Sequence, residues 1–146
     1  VLNLALPALA GDLAPSATQL LWIVDAYSLV LAGLLVTAGT LGDRWGRKRL
    51  LLAGVVVFGL ASGLAASAPT AEVLIAARVL LGVGGALIMP STLSILRNSF
   101  PDPKERTLAI GVWGAVASAG AGLGPIVGGA LLQWFSWHAV FLINVP

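Results

Sequence analysis

Four stretches of this 146-residue chain, about Leu20–Leu41, Leu50–Ala68, Val73–Ile95 and Thr107–Leu132, are apolar over nearly their whole length. Each is long enough to cross a hydrocarbon layer of ~30 Å, which takes ~20 residues of helix. No other property limits the fold so severely. Inside lipid every backbone N–H and C=O must be satisfied within the segment itself, and a helix does that while an isolated strand does not. The pattern therefore predicts an all-α membrane protein. Val1–Ala10 reads as the end of one further span and Ala139–Ile143 as the start of another, so the complete stretches become spans two to five. The chain begins without Met and stops as an apolar segment opens, which reads as a piece cut from a longer protein.

Composition agrees. Hydrophobic residues make up 58% of the chain and charged ones 10%, and the mean hydropathy is +0.98, too apolar for a soluble surface. The net charge of +2 would suit a nucleic-acid partner if the bases formed a face. Instead seven of the eight Lys and Arg residues fall in two short connections, Gly42–Arg49 and Leu96–Arg106, so nucleic acid is set aside and the lipid bilayer is the expected surroundings. The connections Gly11–Gln19 and Pro69–Glu72 carry no base. The positive-inside rule puts loops 42–49 and 96–106 in the cytoplasm, and two intervening spans require them to share a side. The expected location is multi-pass in the cell (inner) membrane. The absence of cysteine removes disulfides and thiol chemistry.

Smaller signals mark the boundaries. In Pro101-Asp102-Pro103-Lys104-Glu105-Arg106 the prolines stop one helix, and the acids suit the positive end of the next. Trp22, Trp134 and Trp137, with His138 beside the last, fall near the outer boundary and are expected to anchor there as an aromatic belt.

Only Asp25 and Arg78 are ionisable inside the predicted spans, at a cost of roughly 2.5–3.5 kcal/mol each at a helix centre. Both lie about five residues below the outer edge, roughly 7–8 Å deep. Their matched depth motivates the expectation that they are electrostatically coupled, in a role of proton coupling or of organising a polar cavity. A structural ion pair or a cap on backbone carbonyls is the competing reading of Arg78. Arg78, Gly82, Ala86 and Pro90 recur every fourth residue, a small-residue stripe that another helix or a cavity can approach. In span five Gly120, Gly124 and Gly128 repeat at the same interval beside Pro125 and Gly129. Four residues turn a helix by ~400°, so these glycines form a nearly straight groove next to a proline-bent segment. Ordinary close packing would explain the groove equally well.

The pieces together resemble the major facilitator superfamily, within it the fourteen-span drug:proton antiporters that include quaternary-ammonium exporters. The likeness runs through essentially the whole chain. Gly39-Thr-Leu-Gly42-Asp43-Arg44-Trp-Gly46-Arg47-Lys48 is similar to the superfamily's signature between spans two and three, with Gly42 where Ala is common. Leu74 through Ala86 resembles the fourth-span motif, whose arginine matches Arg78. Gly120 through Gly129 resembles the antiporter motif of exporters. Asn3-Leu-Ala-Leu-Pro7, Trp22-Ile-Val-Asp25-Ala-Tyr27 and Trp137 through Pro146 are similar to the family's segments in spans one, two and six, His138 standing where Arg is more usual. The acidic residue expected before the first-span Asn would lie upstream of Val1.

The resemblance implies a major facilitator-type helical bundle, with residues 1–146 a partial N-terminal transmembrane domain of about five spans plus the start of a sixth. It implies proton-coupled efflux of an amphipathic, cationic small molecule by alternating access. No covalent chemistry, catalytic residue, metal or cofactor is expected, the proton gradient being the driving force. Spans one, two, four and five would line the cavity. Gly39, Asp43, Arg44, Gly46 and Arg47 would form a gating loop in which Asp43 is held against Arg44 or Arg47; the competing reading, a purely topogenic basic cluster touching anionic lipid, needs the bases but not the Gly-Asp-Arg-x-Gly spacing. Two alternatives stand beside it, the first within transport and the second from a different class of function. A proton-coupled uptake carrier of the same fold is disfavoured by the Gly124-Pro125-x-x-Gly128-Gly129 segment. An intramembrane enzyme or receptor would need clustered nucleophiles or ligands that these spans lack.

Overall fold

A computed structural model describes residues 2–146. Six helices follow one another: α1 (Leu2–Leu13), α2 (Ala17–Trp45), α3 (Arg47–Ala66), α4 (Ala71–Ser99), α5 (Pro103–Trp134) and α6 (Ala139–Leu142). Helices α2 to α5 are long and apolar enough to cross a membrane. No strand occurs among the described residues.

Each long helix runs past its apolar stretch at the charged end. The connection expected over Gly42–Arg49 shrinks to Gly46, and that over Leu96–Arg106 shrinks to 100–102. Hydropathy reports where lipid ends, whereas Arg, Lys and Glu are good helix formers and carry the helix on into the headgroup layer. Side chains start the helices: Ser16 and Gln19 form a reciprocal capping box on α2, Thr70 caps α4, and Asp102 caps α5 by accepting from the Lys104 N–H at 2.9 Å, with Pro103 at the first helical position. Arg106 reaches back to donate to the Phe100 and Pro101 carbonyls at 3.1 and 3.2 Å, satisfying groups left unpaired just past the end of α4.

Helix α4 is the keel of the bundle, packed against α2 on one side and α3 on the other. Glycine makes both approaches possible. A methyl group on Gly82 would stand 2.8 Å from the Tyr27 carbonyl oxygen, and one on Gly84 would stand 3.0 Å from the carbonyl oxygen of Gly54 on α3. The core is built mainly of small side chains, Ala5, Ala61, Ala65 and Ala77, with Leu9, Ile23, Leu74 and Leu81 between them. This suits lipid, where helices associate by close packing rather than by expelling water. Large apolar side chains such as Val36, Leu60 and Leu108 point outward, as lipid-facing residues do.

One boundary residue departs from expectation. Trp22 and Trp134 are exposed at helix ends, in keeping with an aromatic belt, but Trp137 is buried and donates its indole N–H to Asp12 at 2.8 Å. It ties the start of α6 to the end of α1. His138 stacks on its indole with ring centroids 3.9 Å apart. An indole can be drawn inward because its one polar group has found a partner.

Candidate functional site

Arg78 sits one and a half turns into the apolar part of α4, half-buried, on the side that meets α2. Its Nε donates to the Ile23 carbonyl at 2.9 Å and one terminal nitrogen donates to the Val24 carbonyl at 3.3 Å. Both oxygens belong to α2, whose carbonyls keep a second lone pair beyond the one used along the helix. The guanidinium carbon also lies 4.8 Å from the centre of the Tyr27 ring, a cation–π distance. Among the described residues the charge has no acidic partner. A planar fork with five donors suits this task, reaching two successive carbonyls and a ring face at once.

Tyr27 completes the arrangement and is wrapped by α4 over nearly two turns. Its ring lies under Arg78, its carbonyl faces Gly82, and its hydroxyl would stand 3.3 Å from a methyl group on Gly85. The stripe through Gly82 is therefore occupied by α2, as its spacing suggested. Tyr27 carried no signal of its own beyond a motif position, since a ring beneath a cation on another helix leaves no mark in local periodicity.

Asp25 is placed elsewhere. It is exposed on α2, while Ile23 and Ala26 are the buried positions facing the core. Two residues along a helix turn a side chain by about 200°, so the matched depth of Asp25 and Arg78 does not bring them together, and backbone carbonyls hold the arginine instead. Arg78 borders a cavity of about 340 Å³ together with Leu2, Tyr27, Phe58, Leu81 and residues of the α6 segment including Asn144. Its walls come from α1, α2, α3, α4 and α6. Helix α5, expected among the lining helices, does not contribute.

At the other end of α2 the chain turns on a single residue. Gly46 has φ +91° and ψ +129°, a left-handed φ that side chains resist, and this elbow lets α3 begin one residue after α2 ends. Asp43 and Arg47 form an ion pair across it. Of the two partners expected for Asp43, Arg47 is the one in contact. Arg44 points instead into a cleft on α2 and α3 that it shares with Arg49. Gly39 has open space where a side chain would be.

The span-five glycines divide. Gly128 is buried and Gly124 half-buried, whereas Gly120 is exposed, and open space surrounds Gly120 and Gly129. Pro125 lies within the unbroken α5. Helix α5 touches α1, α4 and α6 lightly and leaves most of its length uncovered.

Bilayer-length helices around a glycine-packed keel, with one arginine held on backbone carbonyls at membrane depth, define a multi-pass helical membrane protein. The sequence profile of the Major Facilitator Superfamily matches residues 1–146. The chain belongs to that superfamily. It is 62% identical over 146 residues to the multidrug efflux pump LfrA of Mycolicibacterium smegmatis, covering all of this chain and 29% of that protein. It is 54% identical to the methyl viologen resistance protein SmvA of Salmonella typhimurium and 49% identical to the methylenomycin A resistance protein of Streptomyces coelicolor, again over the whole chain and over 30% and 31% of those proteins. The chain thus spans under a third of the length of the curated relatives it matches.

Proposed function

We propose that this segment belongs to an exporter that couples inward proton movement to outward passage of amphipathic, cationic compounds, using no cofactor beyond the proton gradient. The observation that carries the reading is the Arg78 centre. A permanent charge at membrane depth, balanced only by the Ile23 and Val24 carbonyls and the Tyr27 ring, is costly to maintain. Such a charge makes its surroundings responsive to the arrival of a proton or a cation. The names of the relatives support export over uptake, and the glycine-rich stretch from Gly120 to Gly129 supports it in the same direction. Alternating access would rock this bundle against the rest of the protein about a midplane site, with Asp43 and Arg47 gating on the cytoplasmic side, where loops 42–49 and 96–106 are assigned. The protein would lie in the cell's inner membrane.

Methyl viologen, a dication named for one relative, is a suitable first substrate. In proteoliposomes of the full-length protein, uptake into vesicles whose interior is more acidic than the medium is expected, since export against an inward proton flow corresponds to accumulation there. Arg78→Lys is expected to lower that flux at least tenfold while the protein still inserts, because a lysine keeps the charge but loses the fork on two carbonyls. Accumulation that follows the proton flow instead would make the protein an uptake carrier and overturn the assignment.

A further inference from the structure

The Gly46 elbow sorts its bases. Arg47 is neutralised by Asp43 on one side, while Arg44 and Arg49, which have no acidic partner among the described residues, border a cleft of about 490 Å³ between the end of α2 and the start of α3. The rest of that cleft is apolar, with Leu50, Ala53 and Leu87 forming its floor, and Trp45 stands exposed at its mouth. Polarity is ordered along the membrane normal. The two guanidinium groups sit at the helix ends, and Ala53 lies one turn deeper than Arg49, about 6 Å toward the bilayer centre. Helix α3 also begins with three consecutive cations, Arg47, Lys48 and Arg49, and without a side-chain cap. These are charges of the wrong sign for the positive end of a helix, and its first N–H groups are claimed by no side chain.

We propose that this cleft binds one anionic phospholipid from the adjoining leaflet, its phosphate between Arg44 and Arg49 and its first acyl carbons over Leu50, Ala53 and Leu87. Charge complementarity selects the headgroup. A zwitterionic lipid would bring an ammonium up to two unpaired arginines, whereas phosphatidylglycerol brings only the phosphate. The apolar floor selects a lipid over a free anion, which would leave that surface uncovered, and Trp45 sits where an indole meets the headgroup layer. The site stands on the geometry of the elbow and is independent of what the protein carries.

The test is native mass spectrometry of the detergent-purified full-length protein, titrated with phosphatidylglycerol, phosphatidylcholine or glycerol phosphate. One phosphatidylglycerol is expected to bind at least about tenfold more tightly than phosphatidylcholine, each surface base being worth roughly a fewfold in such contacts, with no competition from glycerol phosphate. Arg44→Gln with Arg49→Gln is expected to remove that preference, and Lys104→Gln, in the first turn of α5, to keep it. Ala53→Trp fills the floor from an exposed position, leaves every orienting base in place, and is expected to release the lipid as well. Three outcomes would overturn the site: no preference in the unaltered protein, as when a carboxylate from elsewhere in the full chain occupies the arginines; retention of the preference by the double glutamine variant and by Ala53→Trp; or full displacement by glycerol phosphate.

Discussion

At Gly82 one methyl group is enough to push two helices apart. The added carbon would meet the Tyr27 carbonyl oxygen at 2.8 Å and the Val30 Cβ at 2.9 Å, neither being the far end of a flexible side chain. Gly82→Ala is expected to destabilise the full-length protein by about 1–3 kcal/mol and to loosen the seat of Arg78. At Gly63 a methyl group meets nothing within 4 Å, so Gly63→Ala is expected to gain about 0.5–1 kcal/mol from helix propensity. Thermal unfolding in detergent compares the two, and equal shifts would refute the packing argument. Ala14, between α1 and α2, adopts φ +43°, a region that costs an L-residue about 1–2 kcal/mol, and Ala14→Gly is expected to raise the melting temperature. Much at this scale was legible beforehand. An arginine inside an apolar run announces itself by cost, and Gly82 by its interval from Arg78. Gly54 against Gly84 was not legible, because a contact between residues thirty positions apart on different helices leaves no local trace.

The elbow between α2 and α3 shows how an element can be recognised while its geometry is missed. Hydropathy placed the spans correctly and made the connection eight residues long; the structure makes it one, since charged residues sustain a helix beyond the lipid boundary. Asp43 thereby lies in the last turn of α2 and Arg47 in the first turn of α3, each charge set against the nearby helix dipole. An exposed i,i+4 pair stabilises by only about 0.3–0.5 kcal/mol. Asp43→Asn is therefore expected to leave insertion and melting temperature nearly unchanged while abolishing transport by the full-length protein. Normal flux in that variant would reduce the pair to a surface contact. Gly46→Ala tests the turn itself, and at φ +91° it is expected to lower stability by about 1 kcal/mol or more.

Across the whole molecule, helices distant in sequence are joined at the end opposite the Gly46 elbow, where the Trp137 indole donates to Asp12 and Gln19 donates to Glu72 at 2.6 Å. Asp12→Ala removes the acceptor and is expected to cost about 1–3 kcal/mol by leaving the indole N–H unpaired. Trp137→Phe loses the donor and one ring of a buried side chain and is expected to lower the melting temperature further, and the double variant is expected to lose less than the sum of the two. These ties join α1 to the α6 segment and α2 to α4, while α5 leaves most of its length uncovered, with open space at Gly120 and Gly129. Helix α2 runs without interruption for 29 residues. Arg78 grips it at Ile23 and Val24, and Asp43 rides on it about 30 Å farther along at 1.5 Å per residue. A rod gripped near one end turns a small tilt into a large sweep at the other: about 10° at the arginine moves the carboxylate about 5 Å over that length. Because the single residue Gly46 joins α2 to α3, such a sweep carries Arg47 along with Asp43, so bending at the elbow rather than the travel of the helix end is what would part the pair.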